Sequence, residues 1–316
     1  MYRLSGDRSG LTGVLIAILI MILIIIAAIA LFLVPFKTVN VNESRQVELA
    51  PGVRSLTVNA SMDIGSMTIR FVNDSSEAAS MSLVGTHRSG LFGPERPVNV
   101  SWAVANGTDS ISIELNVSMG RNIGWFGSND VRCDLNISNR LITSLTVKNS
   151  LGAVNVTTAD GVVLTGLNIR ASAGGIKADL ASGTTLDGPL RINTSLGGVD
   201  FGWTDLRATN NASVDLTASA GGVRLIIMQS SELGSNLTVR STASLGGIDL
   251  NLDVVGNTSA RVQSHAELGG VRVGHRSGFN GTDEDLVSTN YPSDHVLDVR
   301  SNASAGGINI RLNYRP

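Results

Sequence analysis

The sequence predicts an all-β protein, a repetitive β-solenoid-like stack of two-strand repeats preceded by one N-terminal transmembrane helix. Three observations support this prediction. A Gly-Gly phrase recurs through the second half of the chain, apolar and polar residues alternate on either side of it, and a long uncharged stretch lies near the N-terminus. Together they predict a short cytoplasmic tail, a membrane span, a linker, an irregular cap-like β region and a repeat region, at 1–10, 11–34, 35–50, 51–149 and 150–316.

The composition agrees with this fold and limits the classes of function. The 316 residues include 35 glycines, 7 prolines and 42% hydrophobic residues, as expected of glycine-punctuated β-structure with an aliphatic core. A net charge of −2 does not favour a nucleic-acid partner. The single cysteine, Cys133, cannot form a disulfide within the chain. A stack of repeats would supply the stability that small secreted domains often take from disulfides.

The uncharged stretch at 11–34 is long enough to cross a bilayer. As a helix it would extend about 36 Å, and Pro35 would end it. A buried core helix is one alternative, but the run is apolar on every side and longer than such a helix is expected to be. A cleaved signal peptide is the other alternative, since Ala28-Ile29-Ala30 resembles a cleavage site, but the apolar run continues past it. We therefore expect an uncleaved anchor that contacts the lipid bilayer.

Acceptor motifs for N-glycosylation set the orientation of this anchor. The motif Asn-x-Ser/Thr occurs about three times more often than chance predicts, and every copy follows the span. It begins at Asn42, Asn59, Asn73, Asn99, Asn106, Asn116, Asn136, Asn155, Asn193, Asn211, Asn236, Asn257, Asn280 and Asn302. Asn and Ser/Thr are also common turn and ladder residues, which is the alternative explanation. The pattern predicts an N-terminus inside the cell, a domain outside it and an archaeal type of cell surface.

The repeat itself is a phrase of the form Ser-Ala/Leu-Gly-Gly-Ile/Val. Counted from Gly152 of a degenerate copy, Ser150-Leu-Gly-Ala-Val154, its first glycines are separated by 22 to 25 residues, except for one step of 37 before the last copy. The paired glycines, predicted to be structural corners where the chain bends, are Gly174, Gly175, Gly197, Gly198, Gly221, Gly222, Gly246, Gly247, Gly269, Gly270, Gly306 and Gly307. Such repeats cannot bury an apolar face alone, so they are expected to stack.

Strict alternation predicts one strand before and one strand after each corner. Val199, Phe201 and Trp203 would point inward after one corner, for example. Two rows suggest stacking in register. An outward row reads Lys177, Asp200, Arg224, Asp249, Arg272 and Asn309, in which charges alternate in sign. The position before the glycines, expected to point inward, reads Ala173, Leu196, Ala220 and Leu245, until Leu268 breaks the alternation of small and large.

Residues that could carry chemistry are few. The four histidines have no metal-ligand spacing, and His275 is expected to continue the inward row of its strand. Cys133 alternates with apolar neighbours and is expected to be a buried thiol. The candidate metal site is the acidic loop within the long step, with Asp283, Glu284 and Asp285. A solvated acidic loop is the alternative. No catalytic group and no cofactor are predicted.

With these phrases in view, 50–316 resembles the DUF4097-like adhesin family of β-strand-repeat surface proteins. The family phrase ends Ser-Gly-Asp-Ile/Val, whereas this chain has Gly in place of Asp. The resemblance implies a non-enzymatic, membrane-anchored surface protein with an adhesive or envelope-structural role and a surface glycan or protein as partner. An envelope-sensing accessory protein that acts through a membrane partner, and a pilin-like subunit, are alternatives. The sequence assigns no oligomeric state.

Overall fold

The computed structural model describes residues 18–26, 37–73, 76–89, 98–119, 130–209 and 212–316. Within them, 25 strands form two large sheets, so the predicted all-β class is confirmed. Residues 18–26 are helical. Among the described residues, no helix combines the length and the apolar character that crossing a membrane requires. Most of the predicted span at 11–34 lies outside the described residues.

The first sheet contains 11 strands, numbered here in chain order. From edge to edge it runs β1 (Lys37–Glu48), β4 (Glu77–Ser89), β7 (Asp130–Ser138), β3 (Ser66–Val72), β9 (Val154–Thr157), β11 (Ile176–Leu180), β14 (Val199–Thr204), β17 (Val223–Gln229), β19 (Ile248–Val255), β25 (Ile308–Arg315) and β21 (Val271–Ser277).

The second sheet contains 14 strands. In the same direction it runs β5 (Val98–Asn106), β6 (Ser110–Met119), β2 (Ser55–Ile64), β8 (Ile142–Leu151), β10 (Val163–Ala173), β13 (Pro189–Leu196), β16 (Ser213–Ala220), β18 (Leu237–Leu245), β24 (Val296–Ala305), β20 (Ser259–Leu268), β23 (Asp285–Ser288) and β22 (Phe279–Thr282). Two short strands, β12 (Thr185–Leu186) and β15 (Arg207–Ala208), extend from β10.

Each Gly-Gly repeat gives one strand to each sheet, and the strands of neighbouring repeats pair in parallel. β13 pairs with β16 and β14 pairs with β17, both without a register shift. The inward residues of both sheets form one continuous core, in which Ile192 and Phe201 are no more than 1% exposed. Two strands and a corner are therefore one rung of a two-sheet stack, about 4.8 Å from the next rung.

The last two repeats occupy the stack in reversed order. β24 lies between β18 and β20, and β25 lies between β19 and β21, so the final repeat is inserted before the one that precedes it in sequence. The long step allows this, because β22 and β23 form an antiparallel hairpin on the edge of β20 before the chain returns. The expectation that the rungs follow chain order is wrong at this end.

The region at 51–149 builds the other end of the stack from mixed pairings. β2 and β3 join the parallel ladders as one rung, next to β8 and β9. β1, β4 and β7 then pair antiparallel, as do β5 and β6. The predicted linker at 35–50 contains β1, which pairs with β4 along its whole length. Its alternating Val39 and Val41 suit a strand, and Val41 is buried.

A buried polar cluster around Gln229 interrupts the apolar core. The Oε1 atom of Gln229 accepts hydrogen bonds from Trp203 Nε1 at 3.0 Å and from the backbone amide of Leu206 at 3.1 Å. The Nε2 atom of Gln229 donates to the backbone carbonyl of Leu206 at 2.9 Å. Trp203 is 2% exposed, as its place in the inward row predicts. Pairing all of these groups removes the cost of burying them.

Candidate interaction surface

The Gly-Gly corners bring the two sheets together along one side of the stack. The first glycine of each pair has a positive φ, for example +142° at Gly174 and +151° at Gly221, while the second does not. A Cβ on Gly174 would collide with the carbonyl oxygen of Gly152, whereas one on Gly175 would lie 3.8 Å from the Gly198 carbonyl oxygen. The first position therefore requires glycine for its φ and for the close approach of the preceding rung.

An outward row of polar residues, the charge row, follows the corners on the first sheet. Its spatial order is Asn155, Lys177, Asp200, Arg224, Asp249, Asn309 and Arg272. In-register stacking is confirmed, but the predicted neighbour pair Asp249 and Arg272 is separated by Asn309, because the last repeat is inserted there. The sign of the charge alternates over the four central rungs.

The charges of this row do not pair with one another. Lys177 Nζ lies 3.2 Å from the carboxylate of Asp179 on its own strand. Asp249 accepts a hydrogen bond from Asn309 Nδ2 at 3.0 Å. In the part of the chain that the structure describes, Asp200 and Arg224 have neither an ion pair nor a side-chain hydrogen bond. Two central charges of opposite sign are therefore free to meet a partner.

A shallow groove of about 450 Å³ runs along the corners, beside the charge row. Its floor is the column of second glycines, from Gly175 to Gly247, and Lys177 and Asp249 mark the ends of its charged wall. Since glycines supply the floor, the backbone itself is accessible there. A surface of this shape can hold an extended chain or the corresponding edge of another molecule.

On the other side of the glycines lies a second row, here called the leucine column. It consists of the residue directly before each corner glycine. This residue was expected to point inward, and that expectation is wrong, because the leucines of the column are 49 to 69% exposed. The chain leaves the core before the corner, so the alternation of inward and outward no longer applies. In spatial order the column reads Leu151, Ala173, Leu196, Ala220, Leu245, Ala305 and Leu268.

The alternation of large and small in the leucine column is unbroken in space. Leu268 follows Leu245 in the sequence of repeats, but Ala305 lies between them in the stack. Equivalent leucines are thus two rungs apart, about 9.6 Å. Exposed apolar residues in a regular line are characteristic of a contact surface. The alternation is visible in the sequence, but the period-two pattern predicts a core position for it.

The glycosylation motifs are distributed unevenly over this stack. Asn211 lies outside the described residues; of the other thirteen motif asparagines, eleven are exposed, and Asn136 and Asn155 are half-buried. No motif begins in six neighbouring strands of the first sheet, which are β11, β14, β17, β19, β25 and β21. Asn193 and Asn302 lie on the second sheet, and Asn236 and Asn257 on the connections opposite the corners. The face that carries the charge row is free of motifs from Lys177 onward.

The candidate metal loop is neutralised by arginines. Asp285 Oδ2 lies 2.7 Å from Arg261 NH2, and Asp283 Oδ1 lies 3.7 Å from Arg276 NH1. Hydrogen bonding to Arg261 lowers the pKa of Asp285. Glu284 is exposed. Among the described residues, no group of three His, Cys, Asp or Glu side chains could hold a metal ion.

The remaining candidates for chemistry do not form a site. His275 is exposed and lies opposite Arg311, because a register irregularity between Val273 and His275 takes it off the inward row. Cys133 is fully buried, as expected, and burial, with a smaller effect of Asp134, raises the pKa of its thiol to about 12. Such a thiol is not nucleophilic at neutral pH. Trp125 and Phe126 lie outside the described residues.

An ion-pair ladder on the second sheet has no counterpart in the sequence predictions. Asp215 lies between two arginines of neighbouring rungs, 4.0 Å from Arg191 Nε and 3.5 Å from Arg240 NH1. The three residues are directly opposite one another in the parallel ladder. The alternation of Arg, Asp and Arg at equal offsets from the corners was the available signal. In contrast to the charge row, this ladder pairs its charges within the chain.

The geometry defines a class of protein: a stack of parallel two-strand rungs joined by Gly-Gly corners. No protein-family model matches the chain, and no curated protein matches it in sequence. Several solved structures align with most of its length.

A "putative cell adhesion protein" from Clostridium sporogenes is 14% identical, with a TM-score of 0.40, over 87% of this chain and 100% of that chain. A "putative adhesin" from Parabacteroides distasonis is 11% identical, with a TM-score of 0.34, over 85% and 97% of the two chains. One from Bacteroides fragilis is also 11% identical, with a TM-score of 0.34, over 87% and 97%. At these identities and TM-scores, the likeness carries no inference about this chain.

Proposed function

We propose that the protein is a membrane-anchored, extracytoplasmic surface protein with an adhesive or envelope-structural role rather than a catalytic one. On this proposal the apolar stretch at 11–34 is the anchor in the lipid bilayer, and the repeats form a β-solenoid that holds a recognition surface away from it. The partner would be a surface glycan or a protein. The N-terminal tail at 1–10 would lie inside the cell.

The observation that carries the proposal is the exposure of the motif asparagines. A glycan can be attached and accommodated only where the asparagine side chain reaches solvent. All thirteen described motif asparagines are exposed or half-buried, whereas the one buried asparagine among the described residues, Asn149, is not in a motif. An excess of motifs that avoids the core favours attachment outside the cell, where N-glycans are added.

The stack also supports a structural role. A row of identical corners gives a rigid, elongated surface with repeated side chains at fixed spacing, which suits many weak contacts in a line. Among the described residues, no group of three His, Cys, Asp or Glu side chains could hold a metal ion, and the Cys133 thiol is buried. The proposal therefore rests on shape and on surface chemistry.

Location is tested by labelling intact cells with a membrane-impermeant amine-reactive biotin. Lys148 and Lys177 are exposed, so both are expected to react before lysis. A variant with both replaced by Arg should lose most of the label and controls for specificity. Labelling that requires lysis would contradict an outside location.

Glycosylation is tested by single replacements at exposed positions. Asn193→Gln and Asn302→Gln should each increase mobility on a denaturing gel by one glycan. Asn251→Gln, at an exposed asparagine outside any motif, should not change the mobility. Chemical removal of glycans should bring wild type and variants to one mobility. Identical mobility of all variants before that treatment would remove these two sites from the proposal.

A further inference from the structure

We propose that the corner side of the first sheet binds the same side of a second copy of this chain. The two copies would be antiparallel, related by a two-fold axis that passes between the rungs of Asp200 and Arg224. This self-association would hold whether or not the chain is displayed on a cell surface. Four properties of the described residues support it.

The charge row is complementary to itself about that axis. The rotation places Asp200 opposite Arg224 of the partner and Lys177 opposite the partner's Asp249, and each pairing occurs twice. At the two ends, Asn155 faces the partner's Asn309. Shifting the axis by one rung toward the C-terminal end would instead place Lys177 opposite the partner's Arg272. The signs therefore favour one register, as an isologous interface requires.

The leucine column is complementary about the same axis. Three of the four leucines meet an alanine: Leu196 faces the partner's Ala220, Leu245 faces the partner's Ala173, and Leu151 faces the partner's Ala305. A projecting side chain thus enters the gap left by a small one, and the alternation of about 9.6 Å keeps this fit over the rungs from Leu151 to Ala305. Charge and size alternate with the same two-rung period, so one operator satisfies both.

The central residues of the proposed contact have no competing partners. Asp200 and Arg224 make no ion pair or side-chain hydrogen bond among the described residues. The leucines on either side of the axis are mostly solvent-exposed, with Leu196 at 60% and Leu245 at 63%. Covering them removes apolar surface from water, which favours association.

The distribution of glycosylation motifs leaves the central rungs of this contact open. Glycans on the second sheet or on the connections opposite the corners would point away from the partner. The nearest motif on the first sheet is Asn155, one rung before Lys177 and at the end of the contact. A face that binds its own copy has to remain free of bulky modification, and the charge row from Lys177 to Arg272 meets this condition.

Single-sign variants test the register of the contact. One full-length variant carries Asp200→Arg with Asp249→Lys, so its row is entirely positive. The other carries Lys177→Asp with Arg224→Asp, so the charges on its four central rungs are all negative, and only Arg272 at the end of the row stays positive. Differently tagged copies, kept in one mild detergent, are mixed and co-purified. Wild type should pair with wild type, each variant should lose self-pairing at least about tenfold, and the mixed variants should recover it. Thermal unfolding of each variant shows whether it remains folded.

The leucine column is tested by exchanging large and small side chains. Ala220→Leu fills the gap that receives the partner's Leu196 and should weaken pairing, although it makes the surface more apolar. Adding Leu196→Ala exchanges the two sizes and should restore pairing. Both positions are on the surface, so these variants should fold even if a single-sign variant does not.

The outcomes separate this contact from other associations. Pairing that is unchanged in both single-sign variants would overturn the proposal, since a contact through the span or another face would give that result. Stronger pairing of Ala220→Leu would also overturn it, because a general apolar surface or a lipid-binding surface would gain from the added leucine.

Discussion

The outer faces of the two sheets use similar residues in different ways. On the second sheet, Asp215 lies between Arg191 and Arg240, and exposed motif asparagines occupy the same face. On the first sheet, Asp200 and Arg224 are equally well aligned but remain unpaired, and no motif begins in the strands from β11 to β21. On the second sheet, Asp215 thus forms its ion pairs within the chain. On the first sheet, the two central charges and the neighbouring leucines remain available to an external partner.

The largest expected effect concerns the corners that hold the two faces in register. Gly174→Ala should lower the free energy of unfolding by at least about 2 kcal/mol, because the position has a φ of +142° and its Cβ would collide with the carbonyl oxygen of Gly152. Gly175→Ala is the matched control, since its Cβ would make an ordinary 3.8 Å contact. Chemical denaturation of the two variants measures the difference. Equal stability would mean that the first glycine is not required by the stack.

The edges of the two sheets differ as well, and pH should reveal the difference. The β22–β23 hairpin covers the edge of the second sheet, tied by Arg261 and Asp285, whereas β21 leaves the first sheet open. Arg261 lowers the pKa of Asp285 in the folded state, so the pair stabilises the hairpin above the ordinary carboxyl pKa of 3.8. That stabilisation is lost as pH falls below this value.

Arg261→Gln should therefore lower the Tm at pH 6 and have less effect at pH 3, because below 3.8 the carboxyl of Asp285 in the unfolded chain is protonated and the stabilisation by the lowered pKa decreases. Arg276→Gln, which removes only the 3.7 Å contact to Asp283, is the milder control. Thermal unfolding at both pH values provides the measurement. A difference between wild type and Arg261→Gln that persists undiminished at pH 3 would argue against an ionic tie.

The smallest expected effect compares the two charge rows directly. Asp215→Ala removes two exposed ion pairs and should cost about 0.5 to 1 kcal/mol at low salt, decreasing as salt screens the charges. Asp200→Ala removes no ion pair and should change the stability of the isolated chain by less. Denaturant titrations at low and high salt provide both values. A larger loss at Asp200 than at Asp215 would reverse the distinction between the faces.

Much of this organisation follows from the sequence. Period-two alternation around each Gly-Gly phrase correctly predicts both strands and their inward residues, such as Val199 and Phe201. The offset from each glycine predicts which residues lie opposite one another, because strands that begin at identical corners stack in register. The all-β class and the alternating charge row therefore required no knowledge of the structure.

The order of the last two rungs and the exposure of the leucines were not predictable in the same way. Chain order is the simplest rule for a stack, and the pair Asp249 and Arg272 satisfied it. The alternation of leucine and alanine before the corners indicates the reversed order instead, since Leu268 continues the alternation beside Ala305 and breaks it beside Leu245. The exposure of Leu196 depends on how far the core extends toward the corner, and period-two alternation in the sequence does not contain that distance.

The reversed order of the last two repeats is the central claim about this stack, because it produces both the unbroken leucine column and the end of the charge row. Engineered disulfides test it most directly. Residues opposite each other on adjacent parallel strands are about 4.8 Å apart, within the Cα range of a disulfide, whereas residues two strands apart are about 9.6 Å apart and outside it. Asp249→Cys with Asn309→Cys should cross-link readily under mild oxidation of the dilute protein, and Asp249→Cys with Arg272→Cys should not. The opposite result would restore chain order to the stack and contradict the arrangement described.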